Sequence, residues 1–141
     1  MFSKISSIAI ALMTAAEAAV YDMTKDSQVK ENLEKNGLNL TIGETATFIL
    51  EQNLSTGYGW EINEDAADGH YSVSSANKSG SNQRGFVGMA GTKEITVKGL
   101  SEGTAAFQAA YVRPWEFKGW NDAMDAAGSL NLQITVGNSL S

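Results

Sequence analysis

The sequence of 141 residues contains no cysteine and one histidine, His70. Without thiols there is no disulfide, zinc–thiolate site, iron–sulfur cluster or cysteine nucleophile. A single histidine excludes a multi-histidine metal site, and any histidine-based catalytic triad would depend on His70 alone. These absences argue against an enzyme, and we expect neither a cofactor nor a bound metal ion.

Proline and basic charge are also scarce. Proline occurs once, at Pro114, and ten Lys and Arg residues stand against sixteen Asp and Glu residues, for a net charge of −6. Nucleic-acid binding needs clustered Lys and Arg, so we expect no nucleic-acid partner. The length, with 43% hydrophobic and 18% charged residues, is typical of one globular domain.

A long apolar run occurs at the start of the chain. Residues 5–16 are apolar or small, follow Lys4, and lead into Ala16-Glu17-Ala18, which fits a small-x-small cleavage site. About a dozen residues are too few to span a bilayer. We expect residues 1–18 to be a cleaved signal peptide and the remaining chain to be secreted or periplasmic, without membrane contact. An uncleaved amphipathic helix is the alternative.

Residues 19–37 are interpreted as a polar leader. Val29 and Leu33 are four residues apart, Glu31 and Lys35 can pair, and Gly37 follows as a candidate C-cap. This pattern predicts either one or two turns of helix or an unstructured segment, ahead of a domain that spans residues 38–141.

From residue 38 the apolar period becomes two, which indicates β-strands. Seven runs show it: Leu38–Ile42, Thr45–Leu50, Tyr58–Ile62, Tyr71–Val73, Ile95–Val97, Ala105–Tyr111 and Leu130–Val136. Seven short strands in about 100 residues predict an all-β fold, either a two-sheet β-sandwich or a small closed barrel.

Three connections between these strands stand out by length or composition. Glu51–Gly57 is polar, Ala76–Gly91 has sixteen residues with four glycines, and Arg113–Gly128 has sixteen residues with two of the three tryptophans. If successive strands alternate in direction, every second connection lies at the same end, so these three should share one pole. Long loops in a compact domain are usually functional.

Each of these connections contains a short motif. Asn53-Leu54-Ser55-Thr56-Gly57-Tyr58-Gly59-Trp60 resembles the NPTTGxxW motif of the chagasin family of cysteine-protease inhibitors, Gly88-Met89-Ala90-Gly91-Thr92 resembles its GxGG motif, and Tyr111-Val112-Arg113-Pro114-Trp115 resembles its RPW motif. All three occur in the family's order, and the resemblance covers about residues 38–136.

The resemblance implies an immunoglobulin-like β-sandwich and a monomer that inhibits papain-like cysteine proteases reversibly and tightly. Three loops would form a wedge that fills the active-site cleft. Ser55 and Thr56 would approach the protease's catalytic Cys/His pair, Gly88–Gly91 would lie along one flank, and Arg113 and Trp115 would grip the other. The implied protease-binding residues are Asn53, Leu54, Ser55, Thr56, Gly57, Gly88, Met89, Ala90, Gly91, Arg113, Pro114 and Trp115.

Two departures from the family motifs bear on affinity. Leu54 stands where the family has proline, which leaves the free loop less restricted and raises the entropic cost of binding. Ala90 stands where the family has glycine, which costs about 1 kcal/mol if that position needs a positive φ.

The sequence positions of the other aromatic and polar residues predict whether each one is buried, exposed or in contact with the protease. Trp60 and Tyr58 share the alternating face of one strand and are expected in the core, whereas Trp115 is expected at the protease contact; Trp120 stays open between contact and structural cap. His70, beside Gly69, is expected to be an exposed turn residue. Asp122 and Asp125 lack the dense ligand spacing of a calcium loop, so a solvated loop is expected there.

A second function remains compatible with the sequence. Aromatic loop tips with Asp and Asn would also suit a secreted immunoglobulin-like carbohydrate-binding or adhesion module.

Asn39, Asn53 and Asn77 each begin an N-glycosylation acceptor pattern, and a glycan on Asn53 would lie in the implied contact surface. Because a glycosylating secretion pathway would therefore inactivate the protein, we expect a bacterial periplasmic or extracellular location.

Overall fold

The computed structural model describes residues 18–78, 91–120 and 127–138. Within these residues the chain forms eight strands and one α-helix: β1 (Ala18–Asp22), α1 (Ser27–Asn36), β2 (Leu38–Thr41), β3 (Thr45–Gln52), β4 (Gly59–Ile62), β5 (Tyr71–Lys78), β6 (Gly91–Gly99), β7 (Gly103–Val112) and β8 (Gly128–Gly137). The predicted all-β sandwich is confirmed. The predicted count of seven strands is wrong, because β1 precedes them.

Two four-stranded sheets make up the sandwich. The first sheet has the order β1-β3-β6-β5, and the second has the order β2-β8-β7-β4. β1 pairs with β3 and β2 pairs with β8 in parallel, while the other neighbouring strands are antiparallel. The two parallel pairs place the N-terminal part of the chain at one edge of each sheet.

The core lies between the sheets and follows from the alternation of each strand. Along β3, Ala46, Phe48 and Leu50 are buried, and Gln52 continues the same face. Phe48 of the first sheet meets Phe107 of the second with ring centroids 5.2 Å apart. Because successive strand residues face opposite sides, each strand contributes every second side chain to this core.

β1 was outside the predicted strands because its pairing partner is distant in sequence. Its five residues pair in parallel with β3, from Ala18 opposite Thr45 to Asp22 opposite Ile49. So short a run has little local signal of its own, and the pairing with β3 completes its hydrogen bonds. The expected cleavage site after Ala18 falls just inside this strand.

α1 covers the sandwich between β1 and β2. Asp26 caps its N-terminus by accepting a hydrogen bond from the Gln28 amide at 2.9 Å. Gly37 ends it, with φ +79° and its N–H donating to the Leu33 carbonyl at 2.8 Å. Leu33 is 5% exposed and belongs to the core. The segment interpreted as a polar leader therefore contains a helix that contributes to the core.

Strand register brings the ends of the three predicted loops to one pole. Gln52 at the end of β3 lies opposite Gly91 at the start of β6. In the second sheet, Gly59 lies opposite Val112, and Tyr111 lies opposite Gly128. We call this end of the sandwich the loop pole.

None of the helices in the described ranges is long and apolar enough to cross a membrane.

His70 lies at the opposite pole and differs from its prediction. It is partly buried and not an exposed turn residue, and its ring packs where a Cβ on Gly103 would collide with it. His70 Nδ1 lies 3.2 Å from the Ser101 hydroxyl, which itself donates to the Gly69 carbonyl at 3.1 Å. The ring is thus part of a turn network far from the loop pole.

Candidate functional site

The first loop, residues 53–58, is a closed turn built on Asn53. The Asn53 Oδ1 atom accepts hydrogen bonds from the Ser55 amide at 3.2 Å and the Ser55 hydroxyl at 2.7 Å. Asn53 thereby caps the 3₁₀ turn Leu54–Thr56 in the manner of an Asx turn. The Asn53 amide itself donates to the Tyr111 hydroxyl at 2.8 Å, which ties the start of the loop to β7.

The second half of the first loop is closed by Thr56 and Gly57. The Thr56 hydroxyl donates to the Asn53 carbonyl at 2.7 Å, and the Gly57 amide donates to the Leu54 carbonyl at 3.0 Å. Gly57 has φ +87°, a left-handed conformation that glycine adopts without steric cost. Leu54 lies on the outside of this turn and is 53% exposed.

The third loop, residues 113–127, begins with a second 3₁₀ turn, Pro114–Glu116. Proline suits the first helical position because its φ is already near the helical value and its missing N–H needs no partner there. The turn presents Trp115, which is 71% exposed and the most exposed large hydrophobic side chain among the described residues. Further along the loop, Phe117 and Trp120 pack edge to face at 4.9 Å.

Side chains of the third loop contact the first loop directly. Arg113 Nε donates to the Thr56 carbonyl at 3.3 Å, and its guanidinium lies 4.5 Å from the centroid of the Tyr58 ring. The Trp115 ring lies against Gly57, where an added Cβ would approach Cη2 of the ring to 2.6 Å. The first and third loops therefore form one continuous surface.

Three aromatic rings in or next to the second sheet support this surface. The Tyr58 ring stacks on the Tyr111 ring with centroids 5.3 Å apart, and the Trp60 ring also lies 5.3 Å from Tyr111, in a tilted arrangement. The Trp60 indole N–H donates to the Glu51 carbonyl at 3.0 Å. Tyr58 and Trp60 were both predicted to be core residues, and both are partly exposed. Trp60 packs against the edge of the core. Tyr58 does not belong to the core, so its prediction is wrong.

The second predicted loop can be followed at its two ends. Gly91 begins β6 beside the first loop, opposite Gln52. The Gln52 side chain is 5% exposed and donates through Nε2 to Asn77 Oδ1 at 2.8 Å, which links the end of β3 to the end of β5. Gly88, Met89 and Ala90 lie outside the described residues, as do Asp122 and Asp125.

The loop pole has the character of a binding surface. Its described part presents one exposed tryptophan, one exposed leucine and a backbone that approaches the surface at Gly57. No three His, Cys, Asp or Glu side chains in the described part of the chain are placed to hold a metal ion. Tryptophan and arginine are the residues most enriched at interaction hot spots.

Family comparison decides which kind of binding protein has this pole. Residues 39–126, well over half of the chain, match the family described as chagasin family peptidase inhibitor I42. The chain belongs to the chagasin family. This membership fits a protein that binds a peptidase without catalysing a reaction, and it does not favour the carbohydrate-binding or adhesion alternative. No curated protein sequence matches the chain.

Two solved structures share the fold of this chagasin-family chain. The cysteine protease inhibitor EhICP2 of Entamoeba histolytica gives a TM-score of 0.57 at 23% identity, over 84% of this chain and 96% of that one. Amebosin gives 0.57 at 21% identity, over 87% and 99%. PbICP-C, solved in complex with falcipain-2, gives a weaker 0.45 at 17% identity, over 97% and 98%.

Sequence reasoning missed two residues of the site. Tyr111 accepts a hydrogen bond from the first loop and stacks under Tyr58, yet its alternation predicts an ordinary strand residue. Tyr58 was assigned to the core by the same alternation, although it precedes β4 and supports the Arg113 guanidinium. The available signal was their place inside the two motifs, next to residues already assigned to the contact.

Proposed function

We propose that the loop pole of this chagasin-family protein enters the active-site cleft of papain-like cysteine proteases and blocks it reversibly. The observation that carries this is the joined surface of the first and third loops, with Trp115 seated on Gly57 and largely exposed. Asn53–Gly57 and Arg113–Trp115, which the motifs assign to protease contact, lie together on that surface. The motifs also assign Gly88–Gly91 to protease contact, and of these Gly91 lies at the start of β6, opposite Gln52.

The closed first loop also supports blocking without cleavage. A protease cleaves a peptide that extends through its cleft, whereas Leu54–Thr56 is a 3₁₀ turn held by hydrogen bonds from Ser55, Thr56 and Gly57. Opening that turn would break these bonds before any peptide bond could be presented. The inhibitor therefore fills the cleft with a segment that is poor as a substrate.

Steady-state inhibition tests the proposal. We expect the protein to inhibit papain and a cathepsin-L-like protease reversibly, with trypsin, a serine protease, as the control that stays active. Incubation with catalytic amounts of papain should leave the chain intact. Stoichiometric cleavage between Asn53 and Gly57, with protease activity recovering in step, would show that the loop is a slow substrate.

The proposed target also suits the proposed location. We propose that residues 1–18 direct export and are removed, which places the inhibitor where secreted proteases act. Support comes from the charged start, the apolar run and the small-x-small site in the sequence. N-terminal sequencing of the exported protein from its native host should find Ala19 first; recovery of Met1 from the same fraction would contradict cleavage.

A further inference from the structure

We infer that Arg113 acts within the inhibitor as a positioning residue that keeps the first loop in its closed, cleavage-resistant turn. The resemblance to the family assigns Arg113 to a flank of the protease instead. The inference rests on the proposed function for its effect on inhibition, but the tether itself is a property of the free protein.

Three contacts hold the Arg113 side chain inside the loop pole. Its Nε donates to the Thr56 carbonyl at 3.3 Å, and the guanidinium lies 4.5 Å from the centre of the Tyr58 ring. Its Nη1 lies 3.6 Å from a Glu116 carboxylate oxygen, within the third loop's own 3₁₀ turn. The Arg113 side chain, 37% exposed, thus makes three contacts with residues of its own chain.

The Thr56 carbonyl is a position where such a donor matters. The last carbonyls of a helical turn have no partner within the turn, and a cation near them is favourable. Thr56 is the last residue of the 3₁₀ turn Leu54–Thr56. Arg113 therefore caps, from the third loop, the C-terminal end of a turn whose N-terminal end is capped by Asn53.

This cap bears directly on cleavage. Hydrolysis of the Thr56–Gly57 peptide bond would require the Thr56 carbonyl to leave Arg113 and accept hydrogen bonds from the protease at the developing oxyanion. It would also require the turn to open, although Trp115 covers Gly57. Removing the Arg113 donor should lower the barrier to both changes. The first loop should then become more mobile and more readily cleaved.

Matched variants separate the tether from a charge effect. Arg113→Met removes every N–H donor of the side chain but keeps much of its apolar stem. Arg113→Lys retains a cation with a different donor geometry. Lys118→Met is the control, because Lys118 is an exposed cation in the same loop. The unfolding midpoint of each variant is measured first, and Arg113→Lys keeps the test usable if Arg113→Met folds poorly.

The first readout uses the free protein. Subtilisin at low concentration cleaves mobile segments, and cleavage within residues 53–58 is followed by mass spectrometry. We expect Arg113→Met to be cleaved there about tenfold faster than wild type, Arg113→Lys at an intermediate rate, and Lys118→Met at the wild-type rate. Equal rates for Arg113→Met and wild type overturn the inference, whether or not the wild type inhibits papain.

The second readout uses papain. Arg113→Met should raise the inhibition constant about tenfold, the size expected for losing one charge-assisted hydrogen bond, and papain should slowly cut its first loop. A higher constant with no cleavage would assign Arg113 to the protease contact and overturn the positioning role. If wild type itself fails to inhibit papain, the proposed function fails, and the subtilisin result alone decides the tether.

A double-mutant cycle with Tyr58→Leu adds a third readout. If Arg113 acts through the first loop, the effects of Arg113→Met and Tyr58→Leu on the subtilisin rate should be less than additive, because both remove the same support. Glu116→Gln, which removes only the charge beside Nη1, should have a smaller effect than either. Fully additive effects of the first two would show that Arg113 and Tyr58 act independently and would overturn the shared tether.

Discussion

Leu54 occupies the first position of the 3₁₀ turn Leu54–Thr56, after Asn53 in an extended conformation with ψ 97°. Proline is favoured at a first helical position, and it requires an extended residue before it. The extended backbone of Asn53 therefore suits a proline at position 54. The replacement of the family's proline by leucine therefore removes a restriction on the free loop.

Leu54→Pro should strengthen inhibition. A compatible proline contributes about 0.4–1 kcal/mol by restricting the free chain, so we expect the inhibition constant for papain to fall roughly two- to fivefold. The measurement is a titration of papain with wild type and variant side by side. Because Leu54 is 53% exposed, a higher constant would mean that its side chain makes a protease contact that proline cannot replace.

Trp115 and Trp60 offer a matched pair of tryptophans at the same pole. Trp115 is 71% exposed, whereas Trp60 is partly buried against the core and hydrogen bonded to Glu51. Trp115→Ala should cost well under about 1 kcal/mol of folding stability but about 2 kcal/mol or more of binding, at least thirtyfold in the inhibition constant.

Trp60→Ala should show the opposite pattern. We expect it to destabilise the fold by about 2–3 kcal/mol, below the value for a fully buried tryptophan because the ring is partly exposed. Denaturant unfolding and papain inhibition are measured for both variants. If Trp115→Ala unfolds the domain while its folded fraction inhibits normally, Trp115 does not belong to the inhibitory surface.

At the scale of single elements, α1 joins the two sheets at their N-terminal edges. Leu33 enters the core, and Glu34 Oε2 accepts a hydrogen bond from the Asn131 amide of β8 at 2.9 Å. β2 pairs with β8 only from Ile134 onward, so the helix satisfies an amide of β8 beyond the end of that pairing. The helix thus completes the edge of the second sheet.

Leu33→Ala tests this role of α1. Removing a buried leucine side chain costs about 2–5 kcal/mol, so the unfolding midpoint should fall markedly. Lys35→Ala, at an exposed position of the same helix, should change the midpoint little. The inhibition constant of the folded Leu33→Ala protein should stay within about twofold of wild type. An unchanged midpoint would mean that α1 is dispensable for the fold.

At the scale of the whole molecule, Tyr71 connects the two sheets. It lies on β5 of the first sheet and its hydroxyl donates to the Ala106 carbonyl of β7 in the second sheet at 2.6 Å. Burial disfavours the ionised phenolate and raises the pKa of Tyr71 from 10.0 to about 12. Ionisation would remove the donor in this inter-sheet bond.

Alkaline unfolding should report this connection. Because the folded pKa is above the unfolded one, Tyr71 stays protonated in the folded chain while it ionises in the unfolded chain, so stability falls between pH 10 and about 12. Stability should be insensitive to Tyr71 ionisation below that window. Tyr71→Phe should be less stable at neutral pH but lose less on going to pH 12, as measured by denaturant unfolding across the range. A parallel decline in both proteins would falsify the assignment.

The sequence by itself determined the strands and the location of the loop pole. Alternation of apolar residues is a local signal, since each strand must present every second side chain to the core, and seven of the eight strands follow from it. The motifs around Asn53 and Arg113 are local as well, and they identified the family before any contact was known. Proline and glycine marked the turns for the same reason, because they restrict or free φ at single positions.

Only the tertiary structure decided which residues far apart in sequence contact each other. β1 exists because β3 offers an unpaired edge, and Leu33 is buried because α1 packs on β8. Arg113 meets the Thr56 carbonyl, 57 positions earlier in the sequence, and the Tyr58 ring because the first and third loops emerge side by side at the loop pole. No local pattern encodes these pairings, since each depends on which surfaces the folded sheets bring within hydrogen-bond distance.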